Sequence, residues 1–178
     1  MSVDDPMSPS GQAGAERATT AGEPVAGVDP YARLAELGIT LPEVVPPVAS
    51  YVPAVRTGSH VYVSGQLPMA DGVLLATGKV GAEVSAEEAK ALARRCALNV
   101  LAAVDALVGL DRVVKVVKVV GFVASAEGFT DQPSVVNGAS ELFGEVFGEA
   151  GRHARSAVGV GELPRNTPVE VEAIVEVS

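Results

Sequence analysis

Tryptophan is absent from this 178-residue chain, cysteine occurs once, and histidine occurs only at positions 60 and 153. A single cysteine, Cys96, excludes an internal disulfide framework and suits a reducing cytosol. His60, His153 and Cys96 are not at ligand spacing, which argues against a zinc site. Aromatic residues make up 4% of the chain and the formal net charge is −9. A nucleic-acid binder needs a basic stripe or aromatics that stack on bases, so nucleic acid is an unlikely partner on composition. No segment reaches the roughly 18 unbroken apolar residues of a membrane span. The longest apolar-rich stretch, VVKVVKVVGFVAS, is broken by Lys115 and Lys118. No basic start followed by an apolar core marks a secretory signal. Walker loops, dinucleotide fingerprints and G-x-S-x-G elbows are missing. These absences predict a soluble, cytoplasmic protein with no metal and no membrane partner.

What is present is a 48% apolar chain long enough for one core. Residues 1–27 are rich in Gly, Ala, Ser, Thr and Pro and hold almost nothing large and apolar, which predicts a disordered tail. Residues 28–178 read as a single domain, with 28–48 as an N-terminal extension. Asp29 is an N-cap candidate, Pro30 a first helical residue, and Gly38 a helix end. LPEVVPPVA is an extended connector. SYVPAVRTGSHVYVSGQLP predicts a hairpin that turns at RTGS, and MADGVLLATGKVG a loop with Asp71-Gly72 as a turn. Ser85 and Glu88 form a capping box, and Ala89, Leu92, Cys96, Val100, Ala103 and Leu107 give the following helix one apolar stripe. Residues 111–125 are rich in β-branched residues and predict a strand covered on much of both faces. A second helix follows over 132–151, with Val136, Leu142, Phe143, Val146 and Phe147 as its stripe and Gly138 and Gly144 weakening it. Two strands close the chain, at about 154–160 and 168–177, joined through GELPRNTP.

The order, short helix–β–β–α–β–α–β–β, predicts an α+β fold: a mainly antiparallel sheet with two main helices on one face. In the last strand Val169, Val171, Ala173, Val175 and Val177 share one face and should meet the helices. Glu170, Glu172, Ile174 and Glu176 share the other. That mixed face is either plainly solvated or covered by self-association, with charged groups kept at clefts between subunits.

Arg155 and Glu170 interrupt otherwise alternating valines. An arginine fork suits a carboxylate and a glutamate can handle a water. If the last two strands paired antiparallel, the two residues could meet. They are then a cross-strand ion pair of little value, or a site for attack of water on a small carboxylate-bearing substrate. Cys96, on the apolar stripe, reads as a buried structural thiol.

From about Ser50 to Val177 the chain resembles the RidA/YjgF/YER057c/UK114 family, also called L-PSP. The resemblance is carried by YVPAVRTGSHVYVSGQLP, by ALNVLAAVDALVGLDRVVKVVKVVGFV, by VVNGASELF, and by ARSAVGVGELPRNTPVEVEAIVEV. It implies a chorismate-mutase-like fold and a homotrimer with sites between subunits. It also implies a cofactor-independent hydrolytic deaminase that turns enamines and imines of the 2-aminoacrylate type into 2-ketoacid and ammonia. By position, Arg155 matches the family arginine that holds the substrate carboxylate and Glu170 the glutamate that handles the attacking water. Tyr51, Ser64, Gly65, Asn137 and Ala157 match pocket positions. Each has a plainer role to set beside it: Tyr51 as packing, Gly65 as backbone geometry, Asn137 as a cap on its own helix.

Departures are also visible. The family's Gly-Pro-Tyr is Ala49-Ser50-Tyr51, its Pro-Ala-Arg-Ser is His153-Ala154-Arg155-Ser156, and a position often cysteine is Ala157. Extra residues precede the Asn137 helix. This predicts a longer, divergent branch with an altered pocket wall. Two further functions stay open: a non-catalytic trimer that binds a small carboxylate or 2-ketoacid, and an endoribonuclease.

Overall fold

The structure, a computed structural model, describes residues 28–44 and 50–178. The expected tail, 1–27, and part of the proline connector, 45–49, lie outside the described residues.

Helix α1 spans Pro30–Glu36. The Asp29 carboxylate accepts from the amides of Tyr31 at 2.9 Å and Ala32 at 3.3 Å, satisfying two of the donors a helix start leaves unpaired. Gly38 follows at φ +66°, a conformation that costs glycine nothing. Leu34 is buried, and Arg33 donates to the Glu145 carbonyl, so the extension is docked on the domain.

Strands β1 (Ala54–Thr57) and β2 (His60–Gln66) form the predicted hairpin, closed at Thr57↔His60. The stretch expected as loop contains a second, small hairpin, β3 (Met69–Ala70) and β4 (Val73–Leu74). Asp71 and Gly72, at φ +50° and +76°, make its two-residue turn, whose positive dihedrals match the twist of the paired strands. Four residues of strand are too few for an alternation to be read from sequence.

Helix α2 (Ala86–Val108) begins with the capping box complete: Ser85 Oγ accepts from the Glu88 amide, and the Glu88 carboxylate accepts from the Ser85 amide. Ala89, Leu92, Cys96, Val100 and Ala103 are buried as expected, but Leu107 is exposed because the stripe leaves the core in the last turn. Strand β5 (Val113–Ala124) and helix α3 (Gln132–Phe147) follow, then strands β6 (Ala154–Val160) and β7 (Val169–Val177).

Sheet order is β1-β2-β7-β5-β6. Pairing is antiparallel except for β5 with β6, which run parallel. The last two strands therefore do not pair with each other, and the condition under which Arg155 and Glu170 could meet does not hold. The chain leaves β6 at one edge, crosses over β5, and inserts β7 between β5 and β2. There β7 has a partner on both sides, and its valine face lies on the helices.

Those valines, with α2 and α3, build the core. Val169, Val171, Val175 and Val177 are at most 2% exposed, and Leu142, Phe143 and Val146 are fully buried. Each such side chain contributes about 1.5–3 kcal/mol by leaving water. Gly138, expected to weaken α3, has a packing reason. A β-carbon there would lie 2.9 Å from the Lys90 carbonyl carbon and 3.1 Å from the Arg94 nitrogen, so the two helix backbones touch only because it has none. Among the described residues no helix is long and apolar enough to cross a membrane.

Candidate functional site

Strand register decides how the sequence-predicted residues are distributed. Arg155 on β6 pairs with Val119 of β5, whereas Glu170 on β7 pairs with Phe122 of β5. Val119 and Phe122 are three residues apart on one strand, so they face opposite sides of the sheet. Arg155 shares the helix side with Val119, and Glu170 shares the open side with Phe122. The two backbones are also on the order of 14 Å apart, from three residues of rise and two strand spacings. Within one chain Arg155 and Glu170 cannot form an ion pair, and no carboxylate of the described residues contacts Arg155.

On the helix side, α3 overhangs the edge strand β6 and fixes the guanidinium. Nη1 of Arg155 donates to Asn137 Oδ1 at 2.8 Å and to Ser140 Oγ at 3.1 Å, and Nη2 donates to the Pro133 carbonyl at 3.3 Å. Both protons of Nη1 are thereby used. Nε has no acceptor among the described residues and Nη2 has one proton beyond its bond to Pro133, so two donors of the fork stay free. Asn137 sits inside α3, six residues past its N-cap at Asp131, so it caps nothing. Its amide oxygen holds the arginine instead. Ala157 shares the face of Arg155, pairs with Gly121, and packs half-buried against the core.

His153 adjoins the arginine. Its Nδ1 lies 2.6 Å from the Gly151 carbonyl and its Nε2 3.0 Å from Ser140 Oγ. Phe143 meets the ring edge-on, centroids 5.9 Å apart. Burial holds the His153 pKa below its usual 6.5, and the nearby Arg155 and Lys115 charges act in the same direction. Ser140, Gly144, Gly151, Arg152, His153 and Arg155 line an open cleft of about 350 Å³. Ser140 was not found from sequence, although it stands three residues after Asn137, one helical turn along the same face.

On the open side, Glu170 rests against β2 at the bulge between Val63 and Gln66. Gly65 lies in that bulge. A β-carbon on it would stand 2.8 Å from the Glu170 carboxyl carbon and 3.1 Å from its Cγ. Clearance for the carboxylate, rather than backbone conformation, is the reason for glycine here. Burial raises the Glu170 pKa above its usual 4.5, and the Glu172 charge adds to the rise. Ser64 donates through Oγ to the Val52 carbonyl at 2.7 Å, and its amide donates to the Pro53 carbonyl at 2.9 Å, tying the segment after Tyr51 to β2. Tyr51 itself is 47% exposed, so it does not pack in this chain's core. Cys96 is fully buried behind Glu170, and burial pushes its thiol well above the usual range, as expected for a structural cysteine.

The predicted residues therefore form two groups, Arg155, Asn137 and Ala157 at the α3–β6 edge and Glu170, Gly65 and Ser64 at the β2–β7 face, with Tyr51 exposed just before the segment that Ser64 holds. Comparison with known proteins identifies the family. The family described as Endoribonuclease L-PSP matches residues 42–177.

The chain belongs to the L-PSP family. It is 49% identical to Protein TCP17 of Trypanosoma cruzi over 149 residues, 83% of this chain and 93% of that protein. It is 34% identical to the 2-iminobutanoate/2-iminopropanoate deaminase of Dermatophagoides farinae over 137 residues, 77% of this chain and 93% of the deaminase. Among solved structures, Atu1372 of Agrobacterium tumefaciens superposes with a TM-score of 0.76 at 47% identity, covering 83% of this chain and 91% of that one. TdcF of E. coli, solved with bound serine, superposes with a TM-score of 0.57 at 26% identity, covering 76% and 94%. The α+β fold with its mainly antiparallel sheet is thus an L-PSP fold, shared with the YjgF structure of E. coli.

Proposed function

We propose that this L-PSP protein hydrolyses 2-imino and 2-enamino acids to 2-ketoacids and ammonia, without a cofactor, at sites between the subunits of a homotrimer. The observation that carries this reading is the state of Arg155. Three hydrogen bonds from α3 hold its guanidinium, no carboxylate of the described residues occupies it, and two donors of its fork stay free. A preorganised fork of that kind suits a substrate carboxylate. Imine deaminases among its relatives and the serine bound to TdcF, a small amino acid with a carboxylate, support the same chemistry.

Opposite faces for Arg155 and Glu170 give assembly a chemical role. Glu170 of one subunit would meet Arg155 of another. The open sheet face suits such contact, because Val55, Tyr62 and Val158 are all more than 40% exposed on it. In the reaction Glu170 takes a proton from water as the oxygen adds to the imine carbon and passes that proton to the nitrogen, giving a carbinolamine. Glu170 then moves the hydroxyl proton to the amino group as the C–N bond breaks, forming the ketone, expelling ammonia and leaving the carboxylate ionised again. A raised pKa suits a carboxylate to that task, since a base works best near the pH of use.

The test generates 2-aminoacrylate with a dehydratase and follows ketoacid release. Added protein should speed release, and Arg155→Ala should lower kcat/KM by about 10- to 100-fold, the value of a charge-assisted contact. Unchanged release with the wild type, or full activity in Arg155→Ala, refutes the reading. Tight ketoacid binding without turnover, insensitive to Glu170→Ala, would identify a binder instead. The net charge of −9 and scarcity of aromatics weigh against RNA as the substrate.

A further inference from the structure

The deaminase reading uses Arg155 and Glu170 and assigns nothing to the histidine and serine beside the arginine. Their hydrogen bonds have one consistent direction. The Gly151 carbonyl can only accept, so Nδ1 of His153 carries the proton of the 2.6 Å bond. In the neutral ring Nε2 is then an acceptor and takes the Ser140 hydroxyl proton at 3.0 Å. With its proton committed, Ser140 Oγ presents lone pairs only, and Arg155 Nη1 donates to it at 3.1 Å. The chain runs from Arg155 through Ser140 and His153 to the Gly151 carbonyl.

Each member is held. Ser140 is on the rigid α3, one turn from Asn137. Phe143 packs edge-on against the His153 ring. Gly151 approaches α3 so closely that a β-carbon would lie 2.6 Å from the Phe143 carbonyl carbon, which brings its own carbonyl to the ring. We infer that His153 and Ser140 are positioning residues that lock the Arg155 guanidinium on α3 and turn its free Nε and Nη2 donors toward the substrate carboxylate. The inference rests on the reading of Arg155 as the carboxylate anchor.

The relay requires neutral His153. Burial favours that form, against the pull of the Gly151 carbonyl toward the charged ring, and so do the charged groups around it: Arg155 on β6, Lys115 on β5 and Arg152 just before β6 are all cationic, and the nearby Glu149 is already paired with Arg152 at 3.1 Å. Without the relay, one Nη1 proton loses its acceptor and the fork is held on that side by Asn137 alone.

The experiment measures pyruvate affinity by ligand-observed NMR, with kcat and KM for imine hydrolysis, in the full-length protein. The set is wild type, Arg155→Ala, Ser140→Ala, His153→Phe, the Ser140→Ala/His153→Phe double variant, and Ser140→Thr. Each is compared below its own melting transition. Ser140→Ala and His153→Phe should each weaken pyruvate binding and raise KM by about tenfold, the worth of one hydrogen bond to a charged group, with kcat moving much less. The double variant should be no weaker than the weaker single, because both act through one chain of bonds. Ser140→Thr keeps the hydroxyl and should bind like wild type. If Arg155→Ala loses pyruvate while Ser140→Ala and His153→Phe keep it, the relay is refuted and the anchor stands. Two additive losses also refute the relay. A wild type that binds no pyruvate overturns both.

Discussion

Gly65→Ala tests the proposed role of Glu170 apart from the stability of the fold. The new β-carbon would lie 2.8 Å from the carboxyl carbon of Glu170, and the nearer carboxylate oxygen would have to retreat by more than about 1 Å to regain ordinary contact. What it meets is the free end of a flexible side chain, not backbone. The stability cost is therefore that of an unfavourable rotamer, about 0.5–1.5 kcal/mol. For a domain of this size that lowers Tm by no more than about 5 °C. If Glu170 activates water as proposed, displacing it by more than 1 Å costs on the order of 100-fold in rate. Gly65→Ala should thus melt almost like wild type, lose ketoacid release about as completely as Glu170→Ala, and add nothing to Glu170→Ala in the double variant. Calorimetry and the coupled dehydratase assay read the two effects separately. Full turnover in Gly65→Ala would show that the position of Glu170 is irrelevant, and a collapse of Tm would show that Gly65 serves the fold.

Two other perturbations probe the electrostatics and the packing. The folded chain holds a proton on Glu170 more tightly than the unfolded chain does, so the ionised residue destabilises the fold and stability falls as pH rises from 4.5 through the raised pKa. Glu170→Gln should therefore raise Tm near neutral pH, with the gain fading below about pH 4.5, and an equal Tm at neutral pH would contradict the burial argument. Gly138→Ala drives a methyl group into the backbone of α2, where nothing can rotate away; we expect a loss of about 3 kcal/mol or more by chemical denaturation, and near-wild-type stability would show that the helices can separate freely.

Much of the fold was legible locally. The capping box at Ser85 and Glu88, the Asp29–Pro30 start of α1, and the Val169–Val177 alternation are each set by neighbours a few residues away, so the order of elements and the buried face of β7 followed from pattern alone. The β3–β4 hairpin was missed because two residues per strand carry no period, and Leu107 because a helical stripe does not reveal where the core ends. Arg155 and Glu170 were recognisable as out of place among valines, but their relation was not. As hairpin neighbours they could pair with each other. With β5 between them they stand on opposite faces, and whether a strand inserts centrally depends on contacts with β2 and β5, more than forty residues earlier in the chain.

The sequence by itself singled out Arg155 and Glu170 as candidates, because a charged group in a valine strand is expensive unless it is paired or used. It also determined the helices, the strands and the side of β7 that is buried, because these rest on local periodicity and capping. Only the tertiary structure decided the rest. The parallel placement of β6 put Arg155 under α3 with Asn137, Ser140 and His153, and the central insertion of β7 put the Glu170 carboxylate on the other face, where the bulge at Gly65 makes room for it. Those groupings depend on strand register and close backbone approach, which join residues far apart in the chain.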